Sequence, residues 1–192
     1  MAKLTARERL IEAALTLFYR EGFHATGIER VLLEAGVSKM TLYRHFQSKE
    51  DLILAALRRR DERFRVWLIR AIKAYKGDAR SRLLGMFDAL DAWFHGDGPG
   101  QLPFCGCMFI HAAGEYGELS SPIHTLAAEH KRLVLEDLRL LVAEAGLPLS
   151  FAEQLALLKE GAIVSASVTG DLSSALRAKQ MAEVLFLQEE RR

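Results

Sequence analysis

Apolar residues recur every three or four positions along almost the whole chain, the spacing that puts them on one side of an α-helix. No stretch alternates convincingly with the period of two that a strand requires. Helix starts and stops punctuate the pattern. Thr5 with Glu8 three residues on reads as a capping box, followed by the stripe Leu10/Ile11, Ala14, Leu17/Phe18 and a stop at Gly22. The start signal returns at Thr26 with Glu29, and this second helix is expected to bury Ile28, Val31, Leu32 and Ala35 and to end at Gly36. A very short third helix opens at Ser38, because Ser48 with Asp51 marks the next start. A long helix then carries Leu52/Ile53, Ala56/Leu57, Phe64, Trp67/Leu68 and Ile72 to near Gly77. Further helices are expected at about 79–95, 105–117, 122–145, 151–169 and 172–189. Gly96-Asp97-Gly98-Pro99-Gly100 is the clearest loop, and Ser121-Pro122 a cap with proline at the first helical position.

Half of the 192 residues are hydrophobic, enough for a substantial core and unlike a disordered chain. No apolar run is long enough to span a membrane, the charged start does not resemble a secretory leader, and two cysteines make no disulfide scaffold. These features predict a cytoplasmic protein without a membrane partner. The net charge of +1 hides an asymmetry that changes the picture: residues 1–76 hold 16 Lys/Arg against 9 Asp/Glu, and residues 77–192 hold 10 against 16. A basic N-terminal end predicts a polyanionic partner there, unless Arg58-Arg59-Arg60 and its neighbours are only a solvated helix face.

The motif at that end decides between these readings. Two short helices meet at Ala35-Gly36-Val37-Ser38, where the glycine permits a left-handed turn, Val37 plugs the angle and Ser38 caps the second helix. That is the arrangement a helix-turn-helix requires. In the second helix Leu42 and Phe46 turn inward at i, i+4 spacing, leaving Ser38, Lys39, Met40, Tyr43 and Arg44 outward.

On these residues the sequence resembles the TetR (tetracycline-repressor) family of regulators. The matching positions run from Thr26 and Glu29 through Ala35-Gly36-Val37-Ser38, Thr41-Leu42-Tyr43 and His45-Phe46 to Ser48-Lys49-Glu50, within residues 5–57. Gly27 departs from the family, which more often has a hydroxyl residue there, and so does Met40, where a small residue is common. The resemblance implies an all-α fold, with a three-helix helix-turn-helix domain over 1–48, a connecting helix over 49–76, and a helical-bundle domain for ligand sensing and dimerisation over 77–192. It also implies a homodimeric, ligand-released repressor that binds a palindromic double-stranded DNA operator, with no cofactor. Lys49, Thr26, Tyr43 and His45 are then expected at the phosphate backbone, Ser38, Lys39, Met40 and Arg44 at base edges, and Gly27 and Thr41 among the DNA-contacting residues.

The second half supplies candidates for a small-molecule effector of unknown identity. Phe64, Trp67, Phe87, Trp93, Phe109 and Tyr116 are either core or pocket walls, and His111 and Glu115, four apart, share a helix face. They orient a ligand or pair with each other. Cys105-Gly106-Cys107 after the glycine-rich loop reads first as a structural element. A thiol sensor, or a metal-responsive triplet of Cys107, His111 and Glu115, is the alternative. The same Cys/His pairing is the one enzymatic constellation in sight, and without a nucleophile-elbow or phosphate-loop motif it does not make the chain an enzyme. Small residues in the last two helices (Gly161, Ala162, Ser165, Ala166, Ala175, Ala178, Ala182) suggest the face on which a second copy packs.

Overall fold

The computed structural model describes residues 4–189. Among these the chain is entirely helix and loop: α1 (Ala6–Glu21), α2 (Ile28–Ala35), α3 (Lys39–His45), α4 (Lys49–Ala74), α5 (Ala79–Phe94), α6 (Met108–Glu115), α7 (Pro122–Glu144), α8 (Ser150–Thr169) and α9 (Ser174–Glu189), with a 3-10 turn at Pro99–Gln101. The expected all-α class and every expected helix are present. The helix expected over 105–117 is shorter because Gly106 (φ 89°) keeps the chain non-helical until Met108.

Local chemistry sets the helix ends. The Glu8 amide donates to the Thr5 hydroxyl at 3.2 Å and the Thr5 amide donates to the Glu8 carboxylate at 2.8 Å, which closes the box at the start of α1. α2 ends at Gly36, whose φ of 61° and ψ of 44° are left-handed. Ser38 caps α3 by accepting the Thr41 amide at 3.2 Å, and Ser48 accepts the Asp51 amide at 3.1 Å as α4 begins. The second helix departs from expectation. Its N-cap is Gly27, not Thr26; Thr26 is 1% exposed and donates its hydroxyl to the Gly22 carbonyl at 2.7 Å. That carbonyl lies past the end of α1 and takes a donor from the inward-turned threonine. Ile28 and Leu32 are correspondingly half-buried, while Val31 and Ala35 are fully buried.

The chain forms two compact units, one combining the stretch up to Glu62 with Met108–His130, the other combining Arg63–Cys107 with the chain from Lys131 onward. Met108–His130, from the region expected to serve the sensor, thus packs within the first unit. In that unit Leu10, Ala14, Phe18, Phe23, Val31, Leu42, Leu52 and Ile53 are at most 1% exposed and knit α1–α3 to the start of α4. Each of these side chains other than Ala14 contributes roughly 1.5–3 kcal/mol by leaving water.

The second unit is built around α5, α8 and α9, which pack on one another. Here five of the seven small residues find a different use from the one expected, while Gly161 is exposed and Ser165 half-buried. Ala162, Ala166, Ala175, Ala178 and Ala182 are buried within this one chain, where α8 and α9 approach closely. What α8 and α9 leave exposed is bulky and aliphatic instead: Leu157, Val164 and Val168 on α8, and Leu176, Met181, Val184 and Leu187 on α9.

No atom lies within 4 Å of the point where a Cβ would stand on Gly36, so Gly36→Ala meets only backbone strain. It is expected to lower stability by about 1 kcal/mol, seen as a lower urea midpoint with an unchanged slope.

Candidate nucleic-acid interface

The turn Ala35–Ser38 sets α3 across α2, with Leu42 (0% exposed) and Phe46 (4%) as its buried anchors. Burying these two forces the opposite side outward. Met40 is 74% and Tyr43 51% exposed, and Ser38, Lys39, Arg44 and His45 are exposed as well. Met40, Tyr43 and Arg44 stand at i, i+3 and i+4, a single face. Thr41 is half-buried, its hydroxyl 2.9 Å from that of Ser38. Lys39 is not idle: it pairs with Glu29 of α2 at 3.1 Å, and that hydrogen bond holds its ammonium above the ordinary lysine range.

Two helix starts flank this face. Lys49 is the first residue of α4, half-buried, where Asp51 also accepts the Gln47 amide at 3.0 Å. Gly27 is exposed at the start of α2, offers no side-chain cap, and has open space where a Cβ would be. In the first turn of α2 the Glu29 carboxylate takes the amide of its own residue, which keeps it well ionised. Of the expected contact residues, the structure brings Gly27, Ser38, Lys39, Met40, Tyr43, Arg44 and His45 to the surface and turns Thr26 away from it.

The residues expected to hold an effector fall into two groups. In the second unit Phe64, Trp67 and Trp93 pack together with ring centroids 5.5–6.0 Å apart, and Trp93 continues to Phe104 at 5.0 Å. Phe87 is fully buried in the same unit. A cleft of about 530 Å³ adjoins the end of this aromatic cluster, lined by Phe94, Phe104, Cys105, Ala166 and Leu172 among others. Phe109, His111, Glu115 and Tyr116 belong to the first unit. Phe109 stacks on His130 at 3.6 Å, and His130 meets Asp61 at 2.6 Å.

Glu115 has a role the sequence did not suggest. Its carboxylate accepts the amides of Phe23 at 2.9 Å and His24 at 2.6 Å, the two residues just past the end of α1. The His24 ring nitrogen Nε2 lies 3.0 Å from the Glu115 carbonyl, and the rings of His24 and Tyr116 stack at 4.7 Å. Gly22 is part of the fit, since a Cβ there would stand 3.1 Å from Glu115 Oε1. α6 thereby clamps the turn that leads into the helix-turn-helix. The triplet Cys107, His111 and Glu115 is not assembled: among the described residues no three of His, Cys, Asp and Glu come together to hold a metal. His111 instead packs against Tyr19 at 6.5 Å, and burial lowers its affinity for a proton, partly offset by Glu115. Among the described residues, no helix is long and apolar enough to cross a membrane.

Residues 10–56 match the family described as bacterial regulatory proteins, tetR family. The chain is similar to the uncharacterized HTH-type transcriptional regulator YerO of Bacillus subtilis, 46% identical over 50 residues, or 26% of this chain and 17% of that protein. It is also similar to the HTH-type transcriptional activator FasR of Mycolicibacterium smegmatis, 35% identical over 94 residues, 49% of this chain and 42% of that protein. The chain thus spans less than half the length of either relative. Over nearly the whole molecule it resembles the crystal structure of SCO4454, a TetR-family transcriptional regulator from Streptomyces coelicolor, with a TM-score of 0.81, 29% identity and 95% of each chain covered.

Glu115→Ala leaves two amides without their acceptor and is expected to lower stability by about 1–3 kcal/mol, measured by urea unfolding. His111 carries the sign of a buried base. Its folded state binds the proton less readily than the unfolded chain, so stability rises with pH in the window below the ordinary value of 6.5 and levels off above it. His111→Gln is expected to flatten that slope, read as the urea midpoint between pH 5 and 8.

Proposed function

The chain belongs to the tetR family of bacterial regulatory proteins, DNA-binding regulators of transcription, and on that footing we propose that it is a homodimeric repressor released from a palindromic operator by a small molecule. The observation that carries the reading is the exposed face of Met40, Tyr43 and Arg44 on a helix fixed by the Gly36 turn and the Ser38 cap. Such a helix enters a major groove with its N-terminal part against base edges. Arg44 suits a guanine and Met40 a thymine methyl. Lys39 reaches a base by exchanging its exposed Glu29 partner. Tyr43, His45 and Lys49 hold the phosphate backbone, and the exposed start of α2 at Gly27 lies against it. Thr26 has no part in this, because its hydroxyl is turned inward.

One short helix reads too few base pairs, so the reading requires a second copy. The exposed stripe of Leu157, Val164 and Val168 on α8, together with the aliphatic residues of α9, supports a dimer through these two helices. For the effector, the Phe64–Trp67–Trp93 cluster and its neighbouring cleft favour a largely apolar molecule. The Glu115 clamp supplies a route for the signal: a shift of α6 moves the α1–α2 turn, and with it the orientation of α3. An effector acts through this route only if it binds the two arrangements with different affinity. Repression needs no more than occlusion of a promoter by the bound dimer. Because the Mycolicibacterium relative is named an activator, a promoter–reporter assay is the test of sign.

Selection from random duplex DNA at two salt concentrations tests the central claim. The expected result is a two-fold-symmetric site, with Lys49→Ala weakening all sequences alike and reducing the salt slope by about 1, and Arg44→Ala relaxing one position by about 1–3 kcal/mol. Salt-sensitive binding with no enriched sequence would overturn specific recognition. Val164→Glu with Val168→Glu is expected to yield monomers in sedimentation and to abolish binding to the symmetric site.

A further inference from the structure

The cleft beside the aromatic cluster of the second unit carries one polar group whose hydrogen-bonding role is fixed. Its volume of about 530 Å³ lies within the roughly 300–1,000 Å³ of pockets that take small organic molecules. Part of its wall is aromatic. Phe94 and Phe104 meet with ring centroids 4.6 Å apart and planes at 46°, and Phe104, which lines the cleft, is only half-buried. Ala166 of α8 and Leu172 just beyond it add aliphatic surface. A flat ring system suits such walls, stacked offset or edge-on against the phenyl groups. None of the residues that line the cleft is Asp, Glu, Lys or Arg, so a permanently charged molecule finds no ready counter-ion there.

His95, the residue that ends α5, lines the same cleft. Its Nδ1 lies 2.8 Å from the main-chain carbonyl of Asp91, one turn earlier. A carbonyl only accepts, so the proton of the neutral ring sits on Nδ1. The Asp91 carboxylate reinforces that choice, because its Oδ1, buried and without a hydrogen bond, stands 3.8 Å from the same nitrogen. With Nδ1 committed as donor, Nε2 is left as an acceptor, and among the described residues nothing donates to it.

We infer that this cleft binds a neutral hydroxylated aromatic molecule, a phenol or naphthol, with its ring against Phe94 and Phe104 and its hydroxyl donating to His95 Nε2. The rings supply most of the binding and the histidine supplies the selection. A ligand that fills the cleft shuts water away from Nε2, so an aromatic molecule without a donor leaves that nitrogen unsatisfied, whereas a phenol replaces the lost water. The Asp91 carbonyl and carboxylate act through the ring and not on the ligand, by holding the tautomer that accepts. This inference deepens the effector reading proposed above and rests on it for any effect at an operator; the binding itself does not.

The test is calorimetric titration of the full chain with 2-naphthol and with 2-methoxynaphthalene, which keeps the rings and the oxygen but has no proton to donate. The expected result is that 2-naphthol binds about five-fold more tightly. His95→Phe is expected to remove that preference by weakening 2-naphthol alone, and His95→Gln, which retains an acceptor, to restore part of it. Phe104→Ala is expected to weaken both probes alike, which places them in this cleft. A merely structural role for His95 moves both probes together. Equal affinities in the parent, a preference that survives His95→Phe, or unchanged binding in Phe104→Ala would overturn the proposal, as would the failure of 2-naphthol to bind. Tighter binding of 2-naphthoate than of 2-naphthol would overturn it in favour of an anion site. Titration of a selected operator in the presence of 2-naphthol separates the two readings. Lost affinity makes the cleft regulatory, and unchanged affinity removes that role. A protein that selects no operator at all refutes the regulator reading and leaves the binding result standing.

Discussion

Two main-chain amides just past the end of α1 have no helical acceptor, and one carboxylate, 92 residues further along the chain, receives them both. The Glu115 clamp determines where the α1–α2 turn sits. Thr26 completes it from within by giving its hydroxyl to the Gly22 carbonyl. Donor and acceptor requirements at this one junction are therefore met by a long-range carboxylate on one side and a local hydroxyl on the other. Every later element of the helix-turn-helix starts from the turn that this junction holds, so the exposed face of α3 follows a turn pinned by α6.

From that junction onward the small domain is organised by caps rather than by size. A seven-residue helix such as α3 does not persist alone in water. It holds because Ser38 accepts the Thr41 amide, Leu42 and Phe46 are buried, and α3 packs on α1 and α2 of the same unit. The outward residues are those left over once these anchors are fixed, which explains why an exposed methionine and tyrosine stand side by side on a small domain. Large exposed apolar groups in register imply a surface with something to meet.

The second unit divides apolar residues by volume. Alanines line the buried contact of α8 with α9, where close approach excludes larger side chains, and leucines and valines occupy the outer side. Close packing lies inside, and a bulky aliphatic stripe stays exposed outside. The same unit tolerates a buried lysine because Glu160 serves two ammoniums at once, an arrangement in which each charge depends on the others.

Much of this was legible in the residues alone. Caps and stops act over three or four positions, so Thr5 with Glu8, Gly36, Ser38 and Ser48 could be read directly, and with them the helix-turn-helix and its outward face. The helical period likewise set the long stripe of α4 and the class of the fold. The errors and omissions lie where a partner is distant or where two local solutions compete. Thr26 met the cap pattern, yet a carbonyl four residues earlier held the stronger claim on its hydroxyl. Glu115 and His111 shared a face as expected, but nothing near Glu115 in sequence announces Phe23 and His24 as its acceptor's donors. The alanines of α8 and α9 signal close approach without saying which helices approach, and Lys131 and Lys159 reveal their proximity to Cys107 only once α7 and α8 are in place. Short-range hydrogen bonding and periodicity are properties of the sequence itself; pairing across tens of residues is decided by packing, and only the tertiary structure contains it.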